Sequence, residues 1–207
     1  GLCCLEMNIE TETLESWIKF IRFHPDKAER YMDCFWGSQL TSKMHLLNTL
    51  VQKSYIGEVY IFGGWYGILA QLILDDKELK PRKIYSIDVD PECEWIINDV
   101  VTDPIVTAVT ADMVSYEYPS KPTTVINTVT EHITQEQYDI WWDKVPSGTF
   151  YVLQGNNFYD ASDHVRCAYN LNDFKHINKC ENNLGEAQWA CDGPSDEFLR
   201  FMVWGIK

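Results

Sequence analysis

Three glycines and a carboxylate are spaced as a nucleotide-like ligand would require. Gly63, Gly64 and Gly67 follow the apolar run VYIF and precede a second apolar run, and Asp88 ends the next such run. Glycines between a strand and a helix let ligand atoms approach the backbone, and a carboxylate on the neighbouring strand accepts hydrogen bonds from ribose hydroxyls. A tight corner between two buried elements would explain the glycines alone. The position of Asp88 favours a nucleoside-binding loop.

An adjacent glutamate and histidine offer acid–base chemistry further along the chain. Glu131 and His132 follow the β-rich run TTVINTV. Histidine titrates near neutral pH, so we predict His132 as the catalytic base, with Glu131 as its orienting group or as the base itself. An exposed polar loop is the alternative. We predict no bound metal, because no second nearby histidine is expected to complete a ligand set with this pair.

Alternating strands and helices are predicted to position these residues. The runs EVYIF, KIYSID, IVTAVTAD, TTVINTV and GTFYVLQ have the composition of strands. Asp90 is predicted to cap a helix with Pro91 in its first turn, and Thr134 with Gln137 forms a capping box at the start of another helix. Such alternation predicts a parallel sheet that binds its ligands beyond the carboxyl ends of the strands.

An N-terminal helical extension precedes this alternating region. One amphipathic helix is predicted from four apolar residues at helical spacing, Leu14, Trp17, Ile18 and Ile21, and a second helical stretch covers roughly 26–50. No linker follows, so we predict one compact domain with a helical extension at 1–54 and a sheet region at 55–207. Four tryptophans are predicted to lie in the core: Trp17, Trp36, Trp141 and Trp142.

Composition narrows the classes of partner. The chain has 207 residues, 45% of them hydrophobic, and a formal net charge of −14. Such an acidic chain repels phosphate backbones, so nucleic acid is disfavoured as a partner. The apolar runs fall short of the roughly 20 residues that cross a bilayer, and the N-terminal segment has no signal-peptide pattern, so we predict no membrane partner and a cytoplasmic location. The seven cysteines, Cys3 and Cys4 included, contain no C-x-x-C pair, which disfavours a disulfide framework or a zinc knuckle.

From about Tyr55 to Lys207 the chain resembles the class I S-adenosylmethionine-dependent methyltransferases. The matching segments are IFGGWYG, YSIDVDP, TADM, INTVTEHI, VPSGTFYVLQ and, for the closing hairpin, FKHINKCE with FLRFMVWGIK. The resemblance implies an α/β, Rossmann-like, doubly wound and mostly parallel seven-stranded sheet with a C-terminal antiparallel hairpin. It also implies S-adenosylmethionine as cofactor, with Asp112 next to the exocyclic amine of the adenine. The cofactor-binding residues are then Gly63, Gly64, Gly67, Asp88, Asp112 and Asn127.

The chain departs from the family pattern in its glycine loop. Trp65 and Tyr66 stand at crowded positions of this loop, which predicts an atypical cofactor pocket. Glu58, Gln39 or Ser42 is predicted to supply the polar contact to the methionine end of the cofactor. The long segment after strand five is predicted to be a lid or a substrate wall, although a short helix covering the sheet is the alternative. Its substrate-facing candidates are Asn156, Asn157, Tyr159 and His164.

We therefore predict a methyltransferase that acts on a small molecule or on a protein side chain. A nicotinamide-dependent oxidoreductase remains an alternative, because the same loop and ribose carboxylate would serve it. A non-catalytic binding protein that retains the methyltransferase fold is the third hypothesis. The sequence predicts neither the atom that is methylated nor an oligomeric state.

Overall fold

A computed structural model describes residues 5–207 of the chain. Its helices are α1 (Thr11–Phe23), α2 (Ala28–Met32), α3 (Ser38–Val51), α4 (Ile68–Asp75), α5 (Pro91–Val100), α6 (Gln135–Lys144) and α7 (Leu171–Ile177), with one 3-10 turn at Thr130–His132. Its strands are β1 (Glu58–Phe62), β2 (Lys83–Asp88), β3 (Val106–Thr110), β4 (Thr124–Asn127), β5 (Phe150–Asn156), β6 (Gly185–Asp192) and β7 (Glu197–Ile206).

The strands form one seven-stranded sheet in the order β3-β2-β1-β4-β5-β7-β6. Strands β1 to β5 run parallel, whereas β7 is antiparallel to β5 and β6 is antiparallel to β7. The predicted fold class is thus confirmed. Strand order reverses between β1 and β4, and in sheets of this kind the ligand crevice opens beyond the strand ends at that point.

Local sequence signals explain how the central elements begin. The Asp90 side chain accepts a hydrogen bond from the backbone N–H of Glu92 at 3.0 Å, and Pro91 occupies the first position of α5. The Thr134 hydroxyl accepts from the N–H of Gln137, whose side chain accepts from the N–H of Thr134. Both predicted caps are confirmed. They fix the starts of two helices directly after β2 and β4, where the predicted site lies.

Helix α1 buries a different face from the predicted one. Trp17 and Phe20 are buried, whereas Leu14 and Ile18 are 44% and 64% exposed. The Phe20 ring lies 4.6 Å from the ring of Tyr31 in α2, between centroids. The prediction was wrong for Leu14 and Ile18, because the larger aromatic surface of Phe20, which was not among the four predicted residues, gains more from burial.

The predicted helical stretch 26–50 is two helices. Gly37 separates α2 from α3 and has φ of 50°, a left-handed conformation that glycine adopts without strain. Trp36 precedes this break and is 81% exposed, so its predicted core position is wrong. Trp17, Trp141 and Trp142 are buried as predicted.

The closing hairpin begins later than predicted. The segment FKHINKCE belongs to α7 and the turn after it, and the hairpin consists of β6 and β7. The Asn170 side chain accepts a hydrogen bond from the N–H of Asp173 at 2.9 Å, which starts α7. This cap was missed in the sequence, and the helix displaces the predicted strand.

Within residues 5–207 no helix combines the length and the hydropathy that crossing a membrane requires. Cys34, Cys93, Cys167, Cys180 and Cys191 are free thiols. Cys3 and Cys4 lie outside the described residues.

Candidate functional site

Two connected cavities open beyond the carboxyl ends of β1 and β4. Their volumes are about 640 and 320 Å³. Six residues line both cavities: Gln39, Gly63, Trp65, Val129, His132 and His164. The two cavities are therefore neighbouring parts of one cleft at the switch in strand order, and we call them the nucleoside cavity (640 Å³) and the acceptor cavity (320 Å³).

Asp88 lies at the end of β2 in the wall of the nucleoside cavity. Its Oδ2 accepts a hydrogen bond from the backbone N–H of Trp65 and its Oδ1 from the N–H of Asp90, each at 3.1 Å. A carboxylate offers about four lone-pair sites, so each oxygen can accept one further hydrogen bond. These two bonds fix the carboxylate in place and leave it able to bind a diol.

The remaining walls of the nucleoside cavity suit a flat aromatic base. Val89, Met113 and Ile133 supply apolar surface, and Asp112 adds an exposed carboxylate whose Oδ1 accepts from the N–H of Val114 at 2.9 Å. One fixed carboxylate, one exposed carboxylate and apolar side chains are the groups that ribose hydroxyls, an exocyclic amine and a purine ring require. The residues of this cavity fit an adenosine moiety.

The three loop glycines are required by the packing of the protein. A Cβ at Gly63 would lie 2.4 Å from a methyl group of Val129, and one at Gly64 would lie 1.9 Å from the Ser86 hydroxyl. Gly67 has φ of 81° and starts α4, where a Cβ would lie 2.8 Å from Ile97. Gly63 and Gly64 line the acceptor cavity, whereas Gly67 lines neither cavity.

Asn127 is a second predicted contact that the structure does not bring to the cleft. It is fully buried at the end of β4, where its Oδ1 accepts from the N–H of Val129 at 3.0 Å. It lines neither cavity. Its role in this structure is to shape the turn that carries Val129 to the cleft.

Trp65 and Tyr66 point to different sides of the loop. Trp65 lines both cavities and has φ of 49°, a left-handed conformation that is strained for a bulky residue. Such strain costs about 1–3 kcal/mol and is typical of functional sites. Tyr66 is buried instead, donating its hydroxyl to Glu92 at 3.1 Å and stacking on Tyr31 at 5.7 Å between ring centroids. Only Trp65 can shape the cofactor pocket.

The acceptor cavity has a cationic end that was not predicted from the sequence. Lys43 of α3 and Arg200 of β7 line this end together with Ser42, and among residues 5–207 neither cation takes part in an ion pair. Arg200 is 7% exposed, and its Nε has no hydrogen-bond partner within the described part of the chain. Burial lowers the pKa of Lys43 to about 8. The buried Ser42 hydroxyl also lacks a hydrogen-bond partner among the residues that the structure describes.

The opposite wall of the acceptor cavity carries the predicted catalytic pair. Glu131 is buried, and its Oε1 accepts from the side-chain amide of Asn156 at 3.1 Å. His132 follows it, with Nε2 at 3.5 Å from Glu131 Oε1. His164 also lines this wall, and its ring meets that of His132 edge to face at 4.9 Å between centroids. The expectation that no second histidine lies near Glu131 and His132 is wrong, because the loop after β5 folds back onto them.

That loop is held against Glu131 and His132 by backbone hydrogen bonds and by the side chain of Arg166. The N–H groups of Val165 and Arg166 donate to the carbonyl oxygen of Glu131 at 2.9 and 3.0 Å. The buried Arg166 guanidinium donates to the carbonyl of Thr130 at 3.1 Å and to the side chain of Asn178 at 2.7 Å. The segment between β5 and α7 thus lines the cleft, and the end of the predicted stretch forms the start of the short helix α7, so each of the two alternatives describes part of it.

The other candidates from the sequence divide between the cleft and its surroundings. Gln39, Ser42, Asn156 and His164 line the acceptor cavity. Asn157 lies outside it and accepts from the N–H of Leu199 at 2.7 Å, and Tyr159 stacks on Tyr169 at 5.5 Å. Glu58 begins β1, so it lies at the amino end of the strand, where its carboxylate accepts from the Ser120 hydroxyl.

The fold is similar to those of solved methyltransferases. For the N-methyltransferase NodS from Bradyrhizobium japonicum WM9, the TM-score is 0.61 at 13% identity, over 82% of this chain and 97% of NodS. For DhpI in complex with SAH, it is 0.57 at 14% identity, over 94% of this chain and 98% of DhpI. For phosphoethanolamine N-methyltransferase 2 from Haemonchus contortus, in complex with S-adenosyl-L-methionine, it is 0.59 at 12% identity, over 81% of this chain and 52% of that enzyme.

No family model and no curated protein matches the chain. The similarity to the solved structures nevertheless shows that the chain has the class I methyltransferase fold.

Proposed function

We propose that the protein is an S-adenosylmethionine-dependent methyltransferase whose acceptor is a small anionic molecule. One observation carries the proposal: a cavity that fits adenosine adjoins a second cavity, and Gly63 and Trp65 line both of them. A methyl donor held by its nucleoside in the first cavity would face an acceptor in the second. Solved proteins of the same fold bind S-adenosylmethionine or S-adenosylhomocysteine, which supports this cofactor.

The chain's own residues would bind and orient the two reactants. The sulfonium of S-adenosylmethionine supplies an activated methyl group, so the protein has mainly to align the acceptor and exclude water. Asp88 would accept hydrogen bonds from the ribose hydroxyls, and Asp112 from the exocyclic amine. Trp65 lines both cavities and would contact both reactants. Removal of a proton by Glu131 or His132 stays a prediction from the sequence.

The acceptor class follows from the charges of the acceptor cavity. Arg200 is buried and Lys43 is half-buried; cations so far removed from water are costly without a counter-ion, and the cost is recovered when an anion binds. Lys43 and Arg200 would therefore bind a carboxylate or a phosphate group of the acceptor, with the Ser42 hydroxyl as a further donor. The cavity volume of about 320 Å³ suits a small molecule.

The cytoplasmic location of the protein stays a prediction from the sequence.

Titration of anions into the protein saturated with S-adenosylhomocysteine tests this proposal. Inorganic phosphate and acetate are the two probes, and calorimetry is the measurement. We expect at least one of them to bind to the saturated protein. Lys43→Met and Arg200→Met should each weaken that binding by about tenfold or more, equal to 1.4 kcal/mol, while Lys144→Met on the surface leaves it unchanged.

Two outcomes would contradict different parts of the proposal. If both variants lose affinity for S-adenosylhomocysteine and neither anion binds the saturated protein, the cations hold the cofactor's own carboxylate and the anionic acceptor is wrong. If S-adenosylhomocysteine itself does not bind the unaltered protein, the methyltransferase assignment is wrong.

A further inference from the structure

Three side chains in the wall of the acceptor cavity are arranged as ligands of a metal ion. Glu131, His132 and His164 each present one ligand atom, and these atoms lie within 4.8 Å of one another. Two come from the 3-10 turn after β4 and the third from the loop after β5. Ligands around one metal ion lie about 3–4 Å apart at bond lengths near 2.1 Å, so small shifts of side chains would bring all three into contact with an ion.

The carboxylate of Glu131 lacks a partner that its burial requires. Glu131 is 3% exposed, and Asn156 satisfies its Oε1. Its Oε2 is buried and has no hydrogen-bond partner among residues 5–207. An unpaired, buried carboxylate oxygen is costly, and a bound cation would remove that cost.

Both imidazoles are oriented by oxygen atoms at Nδ1. His132 Nδ1 lies 3.2 Å from the Asp163 carboxylate, and His164 Nδ1 lies 2.6 Å from the carbonyl oxygen of Phe158. The Phe158 carbonyl oxygen only accepts, so it places a proton on His164 Nδ1 and leaves the lone pair on His164 Nε2, whereas Asp163 provides a negative charge beside His132 Nδ1. Histidine ligands of metals are held in this way, by an oxygen acceptor at the nitrogen that does not bind the metal.

We propose that Glu131, His132 and His164 bind a divalent first-row transition-metal ion with coordination positions open to the acceptor cavity. Two imidazoles and one carboxylate suit Zn²⁺ or Fe²⁺, whereas Mg²⁺ and Ca²⁺ require mostly oxygen ligands. With three protein ligands, at least one position remains for water or for an oxygen atom of the acceptor. In the metal-bound state His132 Nε2 is a ligand and not a proton acceptor, so this role replaces the base predicted from the sequence.

Calorimetric titration of Zn²⁺ into the metal-free full chain, without cofactor, tests the proposal. We expect one high-affinity site per chain and no comparable binding of Mg²⁺. His132→Ala and His164→Ala should each weaken Zn²⁺ binding by more than the 10- to 100-fold that is typical for loss of a residue that only orients a ligand. Asp163→Asn, which alters such an orienting partner of His132, should weaken it by about 10-fold.

Two controls separate this site from other zinc ligands. His176→Ala removes an exposed histidine that pairs with Glu181 and should leave the affinity unchanged. Cys167→Ala removes the thiol that lies 3.7 Å from His164 Nδ1 and should also leave it unchanged.

The proposal would be overturned if both His132→Ala and His164→Ala bound Zn²⁺ as tightly as the unaltered chain. It would also be overturned if Cys167→Ala were the variant that lost Zn²⁺ affinity, or if the unaltered chain had no Zn²⁺ site. Because no cofactor is present, these outcomes are independent of the methyltransferase assignment.

Discussion

The ammonium group of Lys43 destabilises the folded protein, because its charge is largely removed from water. The titratable groups that face it are Arg200 and Cys34, whose thiol pKa burial raises to about 12, so neither offers a negative charge near neutral pH. Among residues 5–207 the partners of its ammonium group are the carbonyl oxygens of Cys34 and Gln39, both at 3.5 Å. A residue kept in such an environment is expected to serve ligand binding rather than stability.

The variant Lys43→Met should therefore stabilise the protein at neutral pH. The pKa of Lys43 is about 8 in the folded state and near 10.5 when exposed. The charge of Lys43 therefore destabilises the folded state by its full amount below about pH 8. This destabilisation declines as the pH rises from 8 to 10.5. We expect a gain of about 1–3 kcal/mol in the free energy of unfolding at pH 7. Chemical denaturation at pH 7 and pH 10 measures it.

The matched control is Lys77→Met, which alters an exposed lysine and should change stability by less than about 0.5 kcal/mol. A loss of stability in Lys43→Met at pH 7, or a gain that grows toward pH 10, would show that Lys43 has a stabilising partner.

Single residues were predictable where their role depends on local sequence. Asp88, Asp112, Glu131 and His132 follow strand ends that the sequence marks, and all four lie in the cleft. Lys43 and Arg200 stand on α3 and β7, far apart in the chain, so nothing local indicates that they share a cavity. Asn127 was predicted at the site and does not line it, because its side chain hydrogen-bonds to the backbone of the turn that follows β4.

At the scale of elements, the loop between β5 and α7 depends on one arginine. The Arg166 side chain lies 4.1 Å from the ring of Tyr138 and donates to Thr130, Asn178 and the carbonyl oxygen of Ile177. Arg166 is 9% exposed. It therefore connects the loop to the 3-10 turn that carries Glu131 and His132.

The variant Arg166→Met should loosen this loop and destabilise the fold. Methionine fills part of the same space but leaves buried carbonyl groups without donors, which we expect to cost about 2–4 kcal/mol. The N–H groups of Val165 and residue 166 should then exchange with solvent faster. Hydrogen exchange and denaturant unfolding measure both effects, with Arg22→Met on the exposed side of α1 as control. Unchanged protection of Val165 would mean that the loop is held by other contacts.

The elements themselves were predicted best where a cap and a periodic pattern agree. Helices α5 and α6 begin at their predicted caps, and five strands lie where the sequence indicates. Helix α1 exists as predicted but is rotated, because its orientation is decided by packing against Tyr31 and not by its own sequence. The hairpin was misplaced because its first strand, β6, alternates exposed and half-buried residues and is weakly apolar.

The whole molecule combines an acidic surface with a cationic cavity. A formal net charge of −14 repels anions at a distance, so an anionic acceptor must gain its affinity inside the cavity, where Lys43 and Arg200 are shielded from solvent. The N-terminal helices contribute to this cavity through α3 and to the nucleoside cavity through Arg30, which pairs with Asp90 at 2.7 Å. They are therefore part of the site and not only a cover for the sheet.

We expect Asp88 to bind the ribose of a sulfur-containing adenosine cofactor. Calorimetric titration with S-adenosylhomocysteine and with NAD tests it most directly. We predict stoichiometric binding of S-adenosylhomocysteine, weaker or no binding of NAD, and at least about a tenfold loss of S-adenosylhomocysteine affinity in Asp88→Asn. Binding of NAD without S-adenosylhomocysteine, or unchanged affinity in Asp88→Asn, would contradict the account.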